Sequence, residues 1–204
     1  MKDLSCPSCG APLTIKNRFV KVVTCDFCQQ VSTVTGSGLD PTGKKAALAQ
    51  LPSPLYVDAL GEIDGRPFQV VGRLRYKYDA GQWDEWFLTI EEEQPAWLVE
   101  DEGTYTLYFQ ESLEGSAPEF ENVEVGNTLE IGAHQVFITE KGEANIAGGE
   151  GQLAFKIIPG ETVRYVDGSS GDQAVSLEYT EDEIEFLVGR SIPREALVIQ
   201  EEDF

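Results

Sequence analysis

Pro67 to Ile90 reads PFQVVGRLRYKYDAGQWDEWFLTI, and this stretch decides the fold of most of the chain. Leu74 and Tyr76 alternate with basic residues, which is the period of a β-strand whose two faces differ. Residues 79–81 (Asp-Ala-Gly) supply a tight turn. Residues 83–90 are again rich in aromatic and β-branched side chains, which favour strands. The stretch therefore predicts a β-hairpin.

The same pattern of strands and turns continues on both sides of this hairpin. Turns at residues 94–95 (Gln-Pro) and 102–103 (Glu-Gly) predict a meander, and a Gly148-Gly149 turn separates strands in the second half. About a dozen short strands at this spacing predict an all-β sandwich or a pair of small β-barrels over residues 55–204, with two subdomains meeting near 115–126. The second-half candidates are Thr128–Ile131, Gln135–Thr139, Leu153–Ile158, Thr162–Val166, Ala174–Tyr179, Ile184–Val188 and Ala196–Ile199.

A linker with one short helix is predicted over residues 36–54. Gly36-Ser37-Gly38 is a flexible break. Asp40-Pro41 offers a helix N-cap followed by proline at the first helical position, and Lys44 to Leu51 contains good helix formers. Pro52 and Pro54 would end the helix after about two turns.

Residues 1–35 contain all four cysteines, in two C-x2-C pairs. Cys6 and Cys9 form the first pair and Cys25 and Cys28 the second, with 15 residues between the pairs. This spacing is typical of a zinc ribbon, because each short pair points two sulfurs at one ion while the spacer forms a β-hairpin. Gly10 can adopt a positive φ and turn backbone N–H groups toward the thiolates.

The cysteine pairs predict one structural zinc ion per chain. Four thiolates complete a tetrahedral shell and leave no position for a catalytic water. Iron is the alternative metal, since thiolates accept both. Cysteines clustered at one end of the chain also indicate a reducing compartment, so we expect a cytoplasmic protein.

The charge balance excludes several classes of function. The chain has 36 acidic and 15 basic side chains, giving a formal net charge of −21. The first 35 residues carry four basic and two acidic side chains, so the acidic excess lies in the β-rich body. Nucleic acid and anionic membranes attract basic proteins, and no apolar stretch is long enough to span a bilayer. A basic protein or a polycation is the expected kind of partner.

No catalytic constellation is visible, so we assign no catalytic residue. His134 is the one histidine, and no nucleophile motif accompanies it. An enzymatic role is left open, but a non-catalytic one is favoured. The most unusual segment of the body is Trp83, Asp84, Glu85 and Trp86, which predicts either cross-strand packing in the core or an acidic-aromatic surface for a cation or partner.

Several of these segments resemble the bacterial domain-of-unknown-function family 4178. The resemblance lies in Pro67–Leu74, Trp83–Leu88 and Trp97–Leu98, and extends over roughly residues 55–200. Gly149–Leu153 is similar to a Gly-Glu-Leu segment of that family, with two residues inserted after Glu150. The resemblance implies an accessory role near phage-shock-like membrane-stress proteins, ion channels and spermidine-synthase-like genes, with no catalytic residues to carry over.

Together these observations predict a cytoplasmic zinc-ribbon β protein that acts as a non-catalytic binding or scaffold module in a bacterial membrane-stress system. We expect a protein partner, no binding of nucleic acid and no direct membrane insertion. The alternative is a small-molecule or polyamine-handling protein, or an enzyme accessory, that uses the acidic-aromatic residues around Trp83 and Trp86.

Overall fold

A computed structural model describes residues 2–49, 51–154, 159–180 and 183–200. These residues form sixteen β-strands and two short 3-10 helices, at Phe120–Asn122 and Arg194–Ala196. The strands are β1 (Lys2–Ser5), β2 (Pro12–Ile15), β3 (Val22–Thr24), β4 (Gln30–Val34), β5 (Leu39–Lys45), β6 (Leu60–Ile63), β7 (Arg66–Lys77), β8 (Gln82–Ile90), β9 (Gln94–Asp101), β10 (Thr104–Gln110), β11 (Thr128–Ile131), β12 (His134–Leu153), β13 (Thr162–Ser170), β14 (Gln173–Tyr179), β15 (Ile184–Ile192) and β16 (Leu197–Ile199).

Eight of these strands close into an antiparallel barrel. Strands β7 to β10 form one meander and β12 to β15 form a second. Two seams join the meanders, because β10 pairs with β15 and β7 pairs with β12. The ring of hydrogen-bonded neighbours is therefore complete, and closure removes the open edges that a flat sheet would expose.

The mainly β fold class is confirmed, but in place of a sandwich or a pair of small barrels both halves contribute strands to one barrel. The predicted turn at Gly148-Gly149 is not formed, because both glycines lie inside β12, which bends where it crosses β7. Part of the predicted strand Leu153–Ile158 lies outside the described residues, and Leu153 ends β12.

Two apolar clusters cover the outside of the barrel. One packs the outer face of β7 to β10 against β6, β16 and the segment around Leu55. The other packs the outer face of β12 to β15 against β11 and the segment around Val123. Since both faces of these strands are covered, four of their acidic residues are buried in the protein interior, namely Asp84, Glu85, Glu178 and Glu185.

The ribbon strands form as predicted, but they do not pair as the expected hairpin. Strand β2 pairs with β1, whereas β3 pairs with β4 and with β12 of the barrel. The short spacer carries both strands, but the apolar side chains of Val22 and Val23 are better buried in the large sheet than against β2.

The predicted linker helix is not found in the described residues of that segment. Leu39–Lys45 is instead strand β5, which pairs with β4. The edge of β4 provides hydrogen-bond partners that an isolated helix of two turns would lack, and so short a helix is marginal in water. The described part of the chain contains no helix long and apolar enough to cross a membrane.

The ribbon is attached to one end of the barrel through the end of β12. Gln152 pairs with Val23, and its side-chain amide accepts a hydrogen bond from the Lys16 N–H and donates one to the Thr14 carbonyl. Apolar ribbon residues such as Ile15 form one continuous core with barrel residues. The ribbon therefore covers this end of the barrel.

Candidate functional site

The four cysteines come together in the ribbon. Their sulfur atoms all lie within 4.8 Å of one another, with Cys6 Sγ 3.6 Å from Cys28 Sγ and Cys9 Sγ 3.8 Å from Cys25 Sγ. A tetrahedral ion bound at about 2.3 Å from each sulfur would place the sulfurs roughly 3.8 Å apart. A disulfide would need about 2 Å. The cluster therefore has the dimensions of a metal site, and all four thiols are free.

Two equivalent turns build this cluster. The N–H of Gly10 donates to the Cys6 carbonyl at 2.9 Å, and the N–H of Gln29 donates to the Cys25 carbonyl at 2.7 Å. Gly10 has the predicted positive φ of 77°, and Gln29 occupies the matching position with φ 61°. The second turn thus adopts the same left-handed geometry without glycine, which sequence reasoning missed.

Backbone donors act on the thiol of Cys6. Burial by itself raises its pKa, but the N–H groups of Cys9 and Ser8, together with hydrogen bonds to the thiols of Cys28 and Cys25, outweigh burial and lower the pKa to about 7. A thiolate is the form that binds a metal ion. The turn therefore favours the thiolate at Cys6, whereas burial raises the pKa of Cys25. At Cys9 a backbone hydrogen bond from Ala11 lowers the pKa, but the neighbouring cysteine thiols and burial outweigh it and raise the pKa to about 12.

Trp86 and Asp84 are buried on the outer side of the barrel wall and do not form an exposed recognition surface. The Trp86 ring is fully buried, with the Arg73 guanidinium 4.7 Å from its centroid. Asp84 accepts hydrogen bonds from Arg73 and Arg75, each at 2.7 Å. Half of the predicted acidic-aromatic surface is therefore a buried structural network.

Trp83 and Glu85 point the other way, into the barrel. Trp83 stacks on Tyr76 at 4.9 Å between ring centroids and meets the edge of Tyr165 at 5.4 Å. Its indole N–H donates to Glu85 Oε1 at 2.8 Å. Alternation along β8 explains this split, because successive side chains face opposite sides of a sheet.

The barrel interior contains a cavity of about 110 Å³. Its walls combine aromatic rings with carboxyl groups from both halves of the chain, and among the described residues the charged side chains that line it are acidic. The lining residues are Tyr78, Trp83, Glu85, Trp97, Val99, Asp101, Tyr108, Glu140, Tyr165, Asp167, Ser176, Glu178 and Leu187.

The carboxyl groups of the cavity lie at two depths. Glu85 and Glu178 are buried, with 4% and 8% of their surface exposed. Asp101 is half-buried and Glu140 is exposed, where it accepts a 2.7 Å hydrogen bond from the Tyr165 hydroxyl. The buried pair marks the deep part of the cavity and Asp101 and Glu140 mark its mouth.

Burial shifts the protonation of the deep carboxyl groups. It raises the pKa of Glu85 to about 8, with a further contribution from nearby carboxyl groups such as Glu185. Burial and repulsion from Glu85 raise the pKa of Glu178 well above its ordinary value. Burial also raises the pKa of Asp167 to about 6. Like charges in a dry cavity disfavour simultaneous ionisation.

A family model confirms the resemblance seen in the sequence. Residues 57–194 match the family described as Domain of unknown function (DUF4178). The chain belongs to this family. The match includes all eight strands of the barrel and therefore the whole cavity, while the four cysteines precede it. No curated protein and no solved structure gives a significant match to the chain.

The DUF4178 segments that carry the resemblance lie where the barrel closes. Gly72, within Pro67–Leu74, is directly opposite Gly151, within Gly149–Leu153. The Trp83–Leu88 segment supplies Trp83 and Glu85 to the cavity and Trp86 to the outer core. These segments of the DUF4178 fold therefore form the seam and part of the cavity wall.

Half of the cavity was not predicted from the sequence. Glu140 and Glu178 lie in the second meander and were not singled out, because acidic residues are abundant throughout the body. The one local signal was an acidic residue alternating with apolar ones inside a strand, as at Glu178 between Leu177 and Tyr179. Such a residue faces the opposite side of the strand from its neighbours.

Proposed function

We propose that this chain is a non-catalytic binding protein whose barrel cavity takes up a small organic cation. The observation that supports this is the cavity itself, in which aromatic rings and acidic groups occur together and the described lining residues include no basic side chain. Carboxylates attract a cation, and the faces of tryptophan and tyrosine add attraction through their ring quadrupoles. This proposal corresponds to the small-molecule alternative predicted from the sequence, except that the binding site is the barrel interior and not an exposed surface.

The size of the cavity favours a slender ligand. A volume of about 110 Å³ corresponds to roughly seven to eleven water molecules when one water needs about 10–15 Å³ of such space. Drug-sized ligands need several hundred Å³. Short aliphatic amines, including polyamines whose length projects from the mouth, fit this volume.

A divalent metal ion is less well matched to the cavity than an organic cation. Within the described residues, the four cysteines are the group of acidic, cysteine or histidine side chains whose ligand atoms gather within 4.8 Å. The cavity carboxyl groups are spread around the wall, whereas calcium or magnesium requires several oxygens at about 2.0–2.6 Å from one point. Separated carboxylates suit an ammonium group and its aliphatic chain.

Calorimetric titration with spermidine and with 1,4-diaminobutane at pH 8 and moderate salt tests this function. We expect saturable binding of one ligand per chain that persists in salt, since a buried site is screened little. Glu140→Gln at the mouth should weaken binding roughly three- to fivefold, the scale of a partly exposed ion pair.

Glu143→Gln is the matched control. It changes the net charge by the same amount on the same strand, but Glu143 is exposed and does not line the cavity. Equal weakening by both variants, or weak binding that disappears with salt, would show attraction to bulk charge and contradict a cavity site. The absence of saturable binding at any pH would also contradict it.

We further propose that the cysteine cluster holds one structural zinc ion and that the protein is cytoplasmic. Four sulfurs at tetrahedral spacing leave no open coordination position, which supports a structural role. Zinc is favoured over iron because two short C-x2-C turns joined by a β-rich spacer are typical of zinc ribbons. Four free thiols match a reducing compartment.

A protein-binding role is the second candidate, supported by Phe27. This side chain lies between Cys25 and Cys28 and is 74% exposed, although large apolar side chains are usually covered. The family resemblance implies phage-shock-like membrane-stress proteins as partners. Affinity capture with the intact chain should recover such a protein, and Phe27→Ala should reduce its recovery; capture that recovers no membrane-stress component would contradict this role.

A further inference from the structure

The deep carboxyl groups of the cavity face one another across the barrel. Glu178 on β14 lies directly opposite Glu185 on β15 in the strand register, and Asp167 pairs with Ser176 one step along. Glu85 reaches the same region from β8 on the far wall, since Glu185 contributes to its electrostatic environment and Glu85 contributes to that of Glu178. The titratable groups that face this cluster from the remaining strands are Tyr76, Tyr78, Asp101, Tyr108, Glu140 and Tyr165.

The carboxyl group of Glu185, which belongs to this cluster, lacks hydrogen-bond donors. It is 4% exposed and lies on the same face of β15 as Leu187, which lines the cavity. Its Oε2 has no hydrogen-bond partner among the described residues, and Oε1 receives only a 3.4 Å contact from Gln110 Nε2. A buried carboxyl oxygen without a donor costs about 1–3 kcal/mol, so its position favours a ligand that donates hydrogen bonds.

Basic side chains near the cluster are engaged elsewhere. Lys21 of the ribbon lowers the pKa of Glu185 slightly against the effect of burial, but its ammonium group lies 3.7 Å from Glu183. Arg73 and Arg75 are bound to Asp84 on the outer side of the wall. Because no basic side chain of the described residues lines the cavity, the carboxyl groups keep protons, and burial raises the pKa of Glu185 to about 7.

We propose that the cavity binds its cation by exchange, so that a primary ammonium group entering among Glu85, Glu178 and Glu185 displaces protons from these carboxyl groups into solvent. This inference rests on the proposed function and adds that ligand affinity depends on the protonation of the carboxyl groups. The ammonium group stays protonated, each displaced proton comes from a carboxyl O–H, and water or buffer accepts it. The ligand class is an amine with at least one primary ammonium group, because its three N–H donors can serve several carboxylates at once.

Exchange makes affinity depend on pH. A ligand that releases one proton binds about tenfold more tightly for each unit of pH increase while the carboxyl groups are protonated. We expect this slope between about pH 6 and 8, and a plateau only above that range, once Glu185 and Glu85 have ionised without ligand. Amine ligands stay fully charged over this range because their pKa values are about 10.

Calorimetry of the intact chain with 1,4-diaminobutane tests the exchange directly. The titration is run at pH 7 in phosphate and in HEPES at equal ionic strength, since these buffers differ in their heat of protonation and neither contains a primary ammonium group. We expect binding enthalpies that differ by the protonation heat of about one proton per ligand, and an affinity that increases about tenfold between pH 6 and 7.

Glu178→Gln separates exchange from simple attraction. This variant keeps the shape of the side chain but removes one titratable proton, so fewer protons should be released per ligand than in the parent chain. Glu130→Gln on exposed β11 is the control and should leave proton release unchanged. Saturable binding with equal enthalpies in both buffers would overturn the exchange while leaving the cation-binding function intact. A lack of binding at every pH would overturn both.

Discussion

Gly72 and Gly151 face each other in the register where β7 meets β12, at the seam that closes the barrel. A Cβ atom on Gly72 would overlap the backbone carbonyl of Gln152, and one on Gly151 would lie 2.5 Å from the Val71 carbonyl oxygen. Gly151 also has φ 68°, which disfavours other residues. The two strands can pair this closely only because neither of these residues has a side chain.

The first prediction is that Gly72→Ala destabilises the fold. The added methyl group has no space beside Gln152, so either the seam or the attached ribbon must move. We expect a loss of about 1–3 kcal/mol or more in the free energy of unfolding, measured by urea denaturation. Gly36→Ala is the control, because a Cβ there meets open space. Equal stability of the two variants would contradict the tight seam.

The second prediction concerns the metal. Freshly reduced protein should contain close to one zinc ion per chain by elemental analysis, and Cys25→Ser should abolish it. Loss of the metal should unfold the ribbon, since so small a module has too little core to fold alone. Ser8→Ala, between Cys6 and Cys9, should retain zinc. A zinc content below a tenth of an ion per chain, or iron in place of zinc, would contradict the assignment of a zinc site.

The third prediction is that Asp84→Ala strongly destabilises the protein. Asp84 is 7% exposed and binds two arginines whose own exposure is 2% each. Removing the carboxylate leaves Arg75 without its ion-pair partner and Arg73 with only the longer 3.7 Å contact to Glu150, which should lower the free energy of unfolding by about 3–5 kcal/mol. Asp40→Ala on exposed β5 should change it little. A loss below about 1 kcal/mol at position 84 would refute the buried network.

The fourth prediction is that the ligand-free protein becomes less stable as the pH increases from 5 to 8.5. The pKa of Glu85 is about 8 and that of Glu185 about 7 in the fold, against an ordinary value of 4.5. The folded state therefore binds more protons than the unfolded state in this range. The stability contributed by these protonated groups is complete below about pH 4.5 and is lost as the pH passes through the folded pKa values.

Urea denaturation at pH 5.5 and 8.5 tests whether the free energy of unfolding decreases as the pH increases. Because the net charge of −21 also destabilises at high pH, the informative comparison is between variants. Glu185→Gln should reduce the loss of stability between the two pH values, whereas Glu130→Gln should leave it as in the parent chain. Identical pH dependence in all three proteins would show that the cavity carboxyl groups do not hold protons.

Local patterns predicted the parts of this protein but not their arrangement. The spacing of Cys6, Cys9, Cys25 and Cys28 predicted the metal-sized cluster, because two short turns bring sulfurs together whatever surrounds them. Alternation predicted most strands. The helix at Lys44–Leu51 was expected from residue propensities alone, and the segment 39–45 became a strand because the edge of β4 was available to pair with it.

The sequence by itself determined the β class, the ribbon cysteines, the family and the excess of acidic residues in the body. Only the tertiary structure decided where that acidity is concentrated, because Glu85 and Glu178 become neighbours only when the two meanders close into one barrel. Strand alternation specifies which face a side chain occupies. The partner strand across the barrel depends on pairing between residues far apart in the chain, and no local pattern specifies that pairing.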